Sequence, residues 1–306
     1  MRAASLLPLA LCTAVLSTVL AGCAAPGDDR PLVVVTTNIL GDVVQNVVGD
    51  EAEVMVLMKP DADPHSFEIS ARDGARILGA VLIVSNGLGL EEGLSRHLDA
   101  ASAAGVPQLV AGDAIDVLPY ASGDAEGADD PHFWTDPGRV IDVAAAVADA
   151  VEHHVAGVSP RVIRANSDRY LAQLRALDTE MVAAFAGIPA DRRNLVTNHH
   201  VFGYLADRFG FTVVGAAIPG GSTLAAPSAS DLRDLVEAIE DSRVTTIFAE
   251  SSLPDRLVRV LADEAGIDVA VVELFTESLS APGTGADTYL TMMRTNTERI
   301  ATGLSP

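Results

Sequence analysis

The sequence predicts an α/β protein of two lobes, each a mainly parallel four-stranded sheet with flanking helices, joined by one long rigid helix. Three observations carry that prediction. From Leu32 onward, short apolar runs alternate with amphipathic stretches, the pattern of strands feeding helices. The pattern is laid down twice, before and after an interruption near the middle of the chain. The interruption, from Ser159 to about Ala186, contains no glycine, and its only proline, Pro160, falls in the first helical turn.

In the first half, residues 32–36, 53–57, 81–85 and 108–110 read as strands. Helices are expected over 39–48 and 71–78, closed by Gly49 and Gly79, and over 91–101. Asp136 followed by Pro137 opens another helix, because Asp caps free N–H groups and Pro costs nothing at the first helical position. In the middle segment Tyr170, Leu174, Leu177, Met181 and Phe185 fall on one helical face. About 27 residues at about 1.5 Å each make a rod of about 40 Å, long enough to brace both lobes. The second half offers strands at 195–197, 212–216, 244–249 and 269–273. Helices are expected over 200–209 (with Asn198 as a candidate cap), 229–240, 254–265 and 286–301. Ser228 and Asp231 form a capping box for the second of these.

The chain has 306 residues with 49% hydrophobic content, enough for two ordinary domains, and only 4% aromatic, so its cores are aliphatic. Its formal net charge is −22, from 42 acids against 20 bases, and Lys59 is the only lysine. Such a surface repels phosphate backbones, which excludes nucleic acid as a partner. The uncharged apolar run from Leu6 to Leu20, after Arg2, reads as an export signal too short to span a membrane. It ends in Leu20-Ala21-Gly22-Cys23, which resembles a bacterial lipobox with Cys23 as the lipidated residue. The expected organisation is a signal peptide at 1–22, a lipidated tether at 23–31, a first lobe at 32–157, a linking helix at 158–188 and a second lobe at 189–306. With Cys12 in the removed segment, the mature chain keeps one cysteine and can form neither an internal disulfide nor a thiolate metal site. Any metal must be held by nitrogen and oxygen.

Seven histidines are present. His97, His153 and His154 lie on charged or terminal helix positions and read as solvated. His65, His132 and His199 fall in loops after strands, where open α/β sheets bind ligands. His132 is held just before the Asp136-Pro137 helix start, beside the chain's single tryptophan, Trp134. His199 and His200 point about 100° apart if helical, so one ion would not use both.

These residues carry a resemblance. Pro64-His65-Ser66-Phe67-Glu68, Asp130-Pro131-His132-Phe133-Trp134-Thr135-Asp136-Pro137, the long helix, His199-His200-Val201-Phe202-Gly203-Tyr204, and the segment from Gly285 to Asn296 occur in an order that resembles one family. It comprises the metal-binding subunits of bacterial ABC importers for zinc and manganese, the cluster A-I (cluster 9) solute-binding proteins. The resemblance implies a metal ion in the interlobe cleft, held by His65, His132, His199 and Asp287. Glu250 is expected to orient a ligand or replace Asp287, Glu68 to support His65, and His200 to stand as the alternative to His199. Three imidazoles and one carboxylate suit tetrahedral zinc, and manganese, favouring more oxygen, is second; ferrous iron is a weaker option. The implied function is capture of zinc outside the cytoplasm and delivery to an ABC permease, by a monomer anchored through Cys23 to the outer face of the cell membrane, which is periplasmic where an outer membrane exists. Binding should weaken below about pH 6.5 as imidazoles protonate. The acidic run 122–130, without a histidine, reads as a solvated loop. Two other classes compete: a metal-dependent hydrolase, for which the chain lacks HExxH, and a surface adhesin.

Overall fold

Strand β1 (Leu32–Val35) sits inside the first sheet, and Val33, Val34 and Val35 are all fully buried. Side chains alternate across a strand, so a continuous apolar run requires cover on both faces. Val33 and Val35 enter the core that includes α1 (Asn38–Val48), whereas Val34 enters a smaller cluster with Ile77 and Ala101 from α2 (Ala71–Ile77) and α3 (Ser95–Ala103). With β2 (Glu53–Val56), β3 (Leu82–Ser85) and β4 (Gln108–Val110), the sheet is wholly parallel in the order β2-β1-β3-β4. The computed structural model describes residues 30–224, 226–252, 256–264 and 270–305. The export segment and Cys23 lie outside the described residues. Among those described, no helix is long and apolar enough to cross a membrane.

Helix α4 (Pro137–His154) starts as its sequence demands, with the Asp136 carboxylate accepting the Gly138 N–H at 2.7 Å and Pro137 in the first turn. Helix α5 (Pro160–Ala186) is the brace. Its stripe of Ile163, Tyr170, Leu174, Leu177, Met181 and Phe185 is buried throughout. At one end Asn166 donates to the Val47 carbonyl of the first lobe (3.2 Å). At the other, the Phe185 ring meets Phe209 and Phe211 of the second lobe at 5.1 and 5.0 Å. One apolar core consequently runs through both lobes, from Val33 to Leu195, Phe248 and Ile300.

The second sheet repeats the first. Strands β5 (Asn194–Thr197), β6 (Thr212–Ala216), β7 (Thr246–Glu250) and β8 (Ala270–Leu274) are parallel in the order β6-β5-β7-β8. Helices α7 (Ala229–Asp241) and α8 (Arg256–Glu264) flank it, and Ser228 and Asp231 make the expected capping box. Helix α6 (Gly203–Phe209) begins later than residue 200, because the Asn198 side chain does not cap it. Asn198 Oδ1 instead accepts the Glu250 N–H at 2.8 Å, tying β5 to β7. Helix α9 (Tyr289–Leu304) begins after a Thr288–Thr291 capping box and packs on α5 as well as on β8.

Candidate metal centre

His132 is fixed before any ligand arrives. Asp130 Oδ1 accepts its backbone N–H (2.9 Å) and faces ring Nδ1 at 2.7 Å. The loop is held from both sides: Asn86 donates to the Pro131 carbonyl (3.1 Å) and Tyr204 to the Asp130 carbonyl (2.8 Å). In the tautomer whose Nδ1–H donates to Asp130, Nε2 carries a free lone pair on the side of His65 and Glu277. His65 follows β2 in a loop where its N–H is accepted by Asp63 (2.9 Å); Thr223 of the second lobe donates to the same carboxylate (2.6 Å). His199 follows β5, its carbonyl taken by the Thr197 hydroxyl (2.6 Å) and its Nδ1 3.4 Å from Glu250 Oε2.

These three imidazoles meet a carboxylate, that of Glu277. One donor atom from each of His65, His132, His199 and Glu277 lies within 4.8 Å of the others, and all four residues are buried. Nε2 of His132 is 3.3 Å from Nε2 of His65 and 3.4 Å from Glu277 Oε1. Glu277 Oε1 is 3.1 Å from His199 Nε2, and Oε2 is 3.8 Å from His65 Nε2. Tetrahedral bonds of about 2.0–2.2 Å would space their donors about 3.3–3.6 Å apart, so the group is already close to the spacing of a four-coordinate ion. Glu277 Oε2 and His199 Nδ1 are buried without a hydrogen-bond partner, an arrangement that costs stability unless something pairs with it.

Burial sets the protonation of the group. It is the main cause that pushes the His65 imidazole down to about 2, with the neighbouring His132 and His199 adding to it, and it also lowers His199. The same burial pushes Glu277 up to about 7 and Glu250 up to about 8, the latter helped by the charge of Glu277. The cleft therefore favours neutral imidazoles and resists carboxylate charge, which a divalent cation would compensate.

The expected residues separate. His65, His132 and His199 come together. Asp287 does not join them: it lies at the surface before α9, where Oδ2 accepts the Gly283 N–H (3.1 Å) and Oδ1 the Thr291 hydroxyl (3.2 Å). It is part of a helix start, and backbone hydrogen bonding holds its carboxyl below the usual range. Glu68 is exposed and takes no part around His65. His200 is buried with its ring 6.4 Å from that of Tyr120, and it is not one of the four clustered donors. Glu250 stands behind His199, its other oxygen accepting the Ser252 hydroxyl at 2.5 Å. Two residues were missed. Glu277 could have been found as the acid just beyond the last strand, where the second sheet should place ligands, and Asp130 by its position two residues before His132.

Two parallel sheets facing a buried imidazole–carboxylate group define a two-lobed binding protein for a small charged solute. The sequence profile of the family described as zinc-uptake complex component A, periplasmic (ZnuA) matches residues 33–303, and the chain belongs to that family. It is the metal-binding component of ABC-type metal uptake and not an enzyme, which ends the hydrolase alternative. Similar proteins carry names for different metals. The manganese-binding lipoprotein MntA of Halalkalibacterium halodurans is 28% identical over 298 residues, covering 95% of this chain and 96% of the relative. The iron-binding protein YfeA of Yersinia pestis is 29% identical, covering 99% and 96%. The zinc-binding protein TroA of Treponema pallidum is 32% identical over 288 residues, covering 92% and 91%. The solved structure of TroA superposes with a TM-score of 0.83 over 90% of this chain and all of that one, at 30% identity.

Proposed function

We propose that this chain captures zinc outside the cytoplasm between His65, His132, His199 and Glu277, and delivers it to the permease of an ABC importer. The observation that carries the reading is the donor set: three imidazoles and one carboxylate, already buried, with all donor atoms within 4.8 Å and the carboxylate 3.1–3.8 Å from each imidazole. Neutral imidazole is a borderline-soft ligand that suits zinc better than manganese. Asp130 orients His132 from behind, the arrangement that fixes the tautomer of a metal-bound histidine, and the Glu250 carboxylate stands 3.4 Å behind His199 Nδ1. Solute-binding components work with a permease and an ATPase, and lipid on Cys23 would keep this one at the outer face of the membrane, in keeping with relatives named as lipoproteins.

Manganese is the second reading, favoured by one observation. Both oxygens of Glu277 face ligand nitrogens, Oε1 those of His132 and His199 and Oε2 that of His65. A carboxylate bound through both oxygens would give five donors, closer to what a harder ion takes. Metal-stripped protein equilibrated with equal zinc and manganese, then analysed for elements, decides between them. One zinc per chain is expected; a chain loaded with manganese instead would overturn the zinc assignment.

A further inference from the structure

Glu277 stands on an unusual piece of backbone. Residues 275–280 leave β8 and run in irregular form, yet each residue is at most 8% exposed. Buried backbone outside helix and sheet must find other partners for its N–H and C=O groups. Here side chains supply them. Asn296 of α9 brackets Phe275, accepting its N–H (3.0 Å) and donating to its carbonyl (2.7 Å). The Trp134 indole donates to the Thr276 carbonyl at 2.7 Å. Beyond Glu277, Asn38 Oδ1 accepts the Leu279 N–H (2.9 Å), while Nδ2 donates to Ser278 Oγ (2.7 Å) and to the Lys59 carbonyl (3.1 Å). The Leu279 carbonyl accepts the Asp61 N–H (3.0 Å).

Trp134, Asn38, Lys59 and Asp61 all belong to the first lobe. Helix α9 is tied there too, since the Tyr289 N–H is accepted by Asp42 (3.1 Å) and its hydroxyl donates to the Trp134 carbonyl (2.8 Å). Glu277 thus follows the second sheet in sequence but is hydrogen-bonded, through the residues on either side of it, to the first lobe.

We propose that Asn38 is a positioning residue for metal binding: through Ser278 and Leu279 it fixes the Glu277 carboxylate to the first lobe. His65, His132 and Glu277 then behave as one preformed half-site, and His199 is the donor the second lobe brings to it. This rests on the ligand set proposed above. Asn38 occupies the first position of α1, where alanine is well tolerated by a helix, so its loss acts on the Glu277 segment rather than on α1.

The test is a double-mutant cycle read by zinc affinity and by the rate of zinc loss to a chelator. Asn38→Ala should weaken binding about ten- to a hundredfold, mainly through faster dissociation. In a Glu277→Ala background the same change should add less than about twofold, because the group it positions is gone. Additive losses, or an Asn38→Ala protein that binds like wild type, overturn the inference while leaving the ligand set standing. A Glu277→Ala protein that binds like wild type overturns the ligand set itself. Ser278→Ala, which removes one partner of the Asn38 amide, runs the same cycle should Asn38→Ala fail to fold. A loss of about two- to tenfold that vanishes beside Glu277→Ala is expected, and no loss overturns the inference.

Discussion

The two lobes share a strand order and present their donors by different routes. In the first, both imidazoles come from loops after the edge strands β2 and β4, and each is held by a carboxylate two residues earlier, Asp63 for His65 and Asp130 for His132. In the second, His199 follows the central strand β5 and is backed by Glu250 at the end of the neighbouring β7. That is the point where strand order reverses, the usual binding crevice of an open α/β sheet. Repeating a topology therefore does not repeat a site. The first lobe places its imidazoles by local turns, and the second by contacts between strands that are distant in sequence.

Removing a donor should give the largest effect and tests whether the lobes contribute equally. His132→Ala and His199→Ala are each expected to weaken zinc binding by more than about a hundredfold, measured by competition with a chelator. A loss confined to the first-lobe variant would mean that the second lobe only covers the ion. Next come the orienting carboxylates. Asp130→Asn should cost about ten- to a hundredfold, and Glu250→Gln less, because Nδ1 of His132 lies at 2.7 Å from its carboxylate and that of His199 at 3.4 Å.

The pH profile is expected to have a different origin from the imidazole titration that the ligand set read from the sequence implies. Burial pushes His65 down to about 2, so it stays neutral across the ordinary range, whereas Glu277 is pushed up to about 7 and Glu250 to about 8. In the metal-free cleft these acids hold protons below those values, and the cation must displace the one on its ligand. Affinity should be full above about pH 8 and fall about tenfold per unit below about 7, with proton release on loading measurable by calorimetry in two buffers. Affinity unchanged between pH 8 and 5 would exclude Glu277 as a ligand. The smallest effect separates the two candidate acids: Asp287→Ala should leave affinity within about twofold, because its carboxylate is spent on the turn before α9.

Much of this was legible because the signals were local. Buried apolar runs gave the strands, Asp136-Pro137 and Ser228 with Asp231 gave helix starts, and the three histidines stood in loops that follow strands. The failures share a physical cause. Asn198 looks like a helix cap in sequence, but its acceptor is taken by Glu250, 52 residues away. Glu277 stands in a buried stretch whose backbone is satisfied by Asn38, Trp134 and Asn296, partners distant in sequence, so only its place after the last strand hinted at an interior position. Asp287 sits in a motif that resemblance favoured, yet its place is set by capping the turn before α9.

The core that passes unbroken from Val33 to Ile300 also bears on how the chain folds. Helix α9 packs against α5 and α1, so the helical layer of the first lobe is incomplete until α9 is in place. Contacts of such long sequence separation slow folding and make it cooperative. Heat should melt the protein in a single transition rather than lobe by lobe, and a fragment ending after α4 should expose apolar surface and aggregate. The cleft divides the shape of the molecule without dividing its stability.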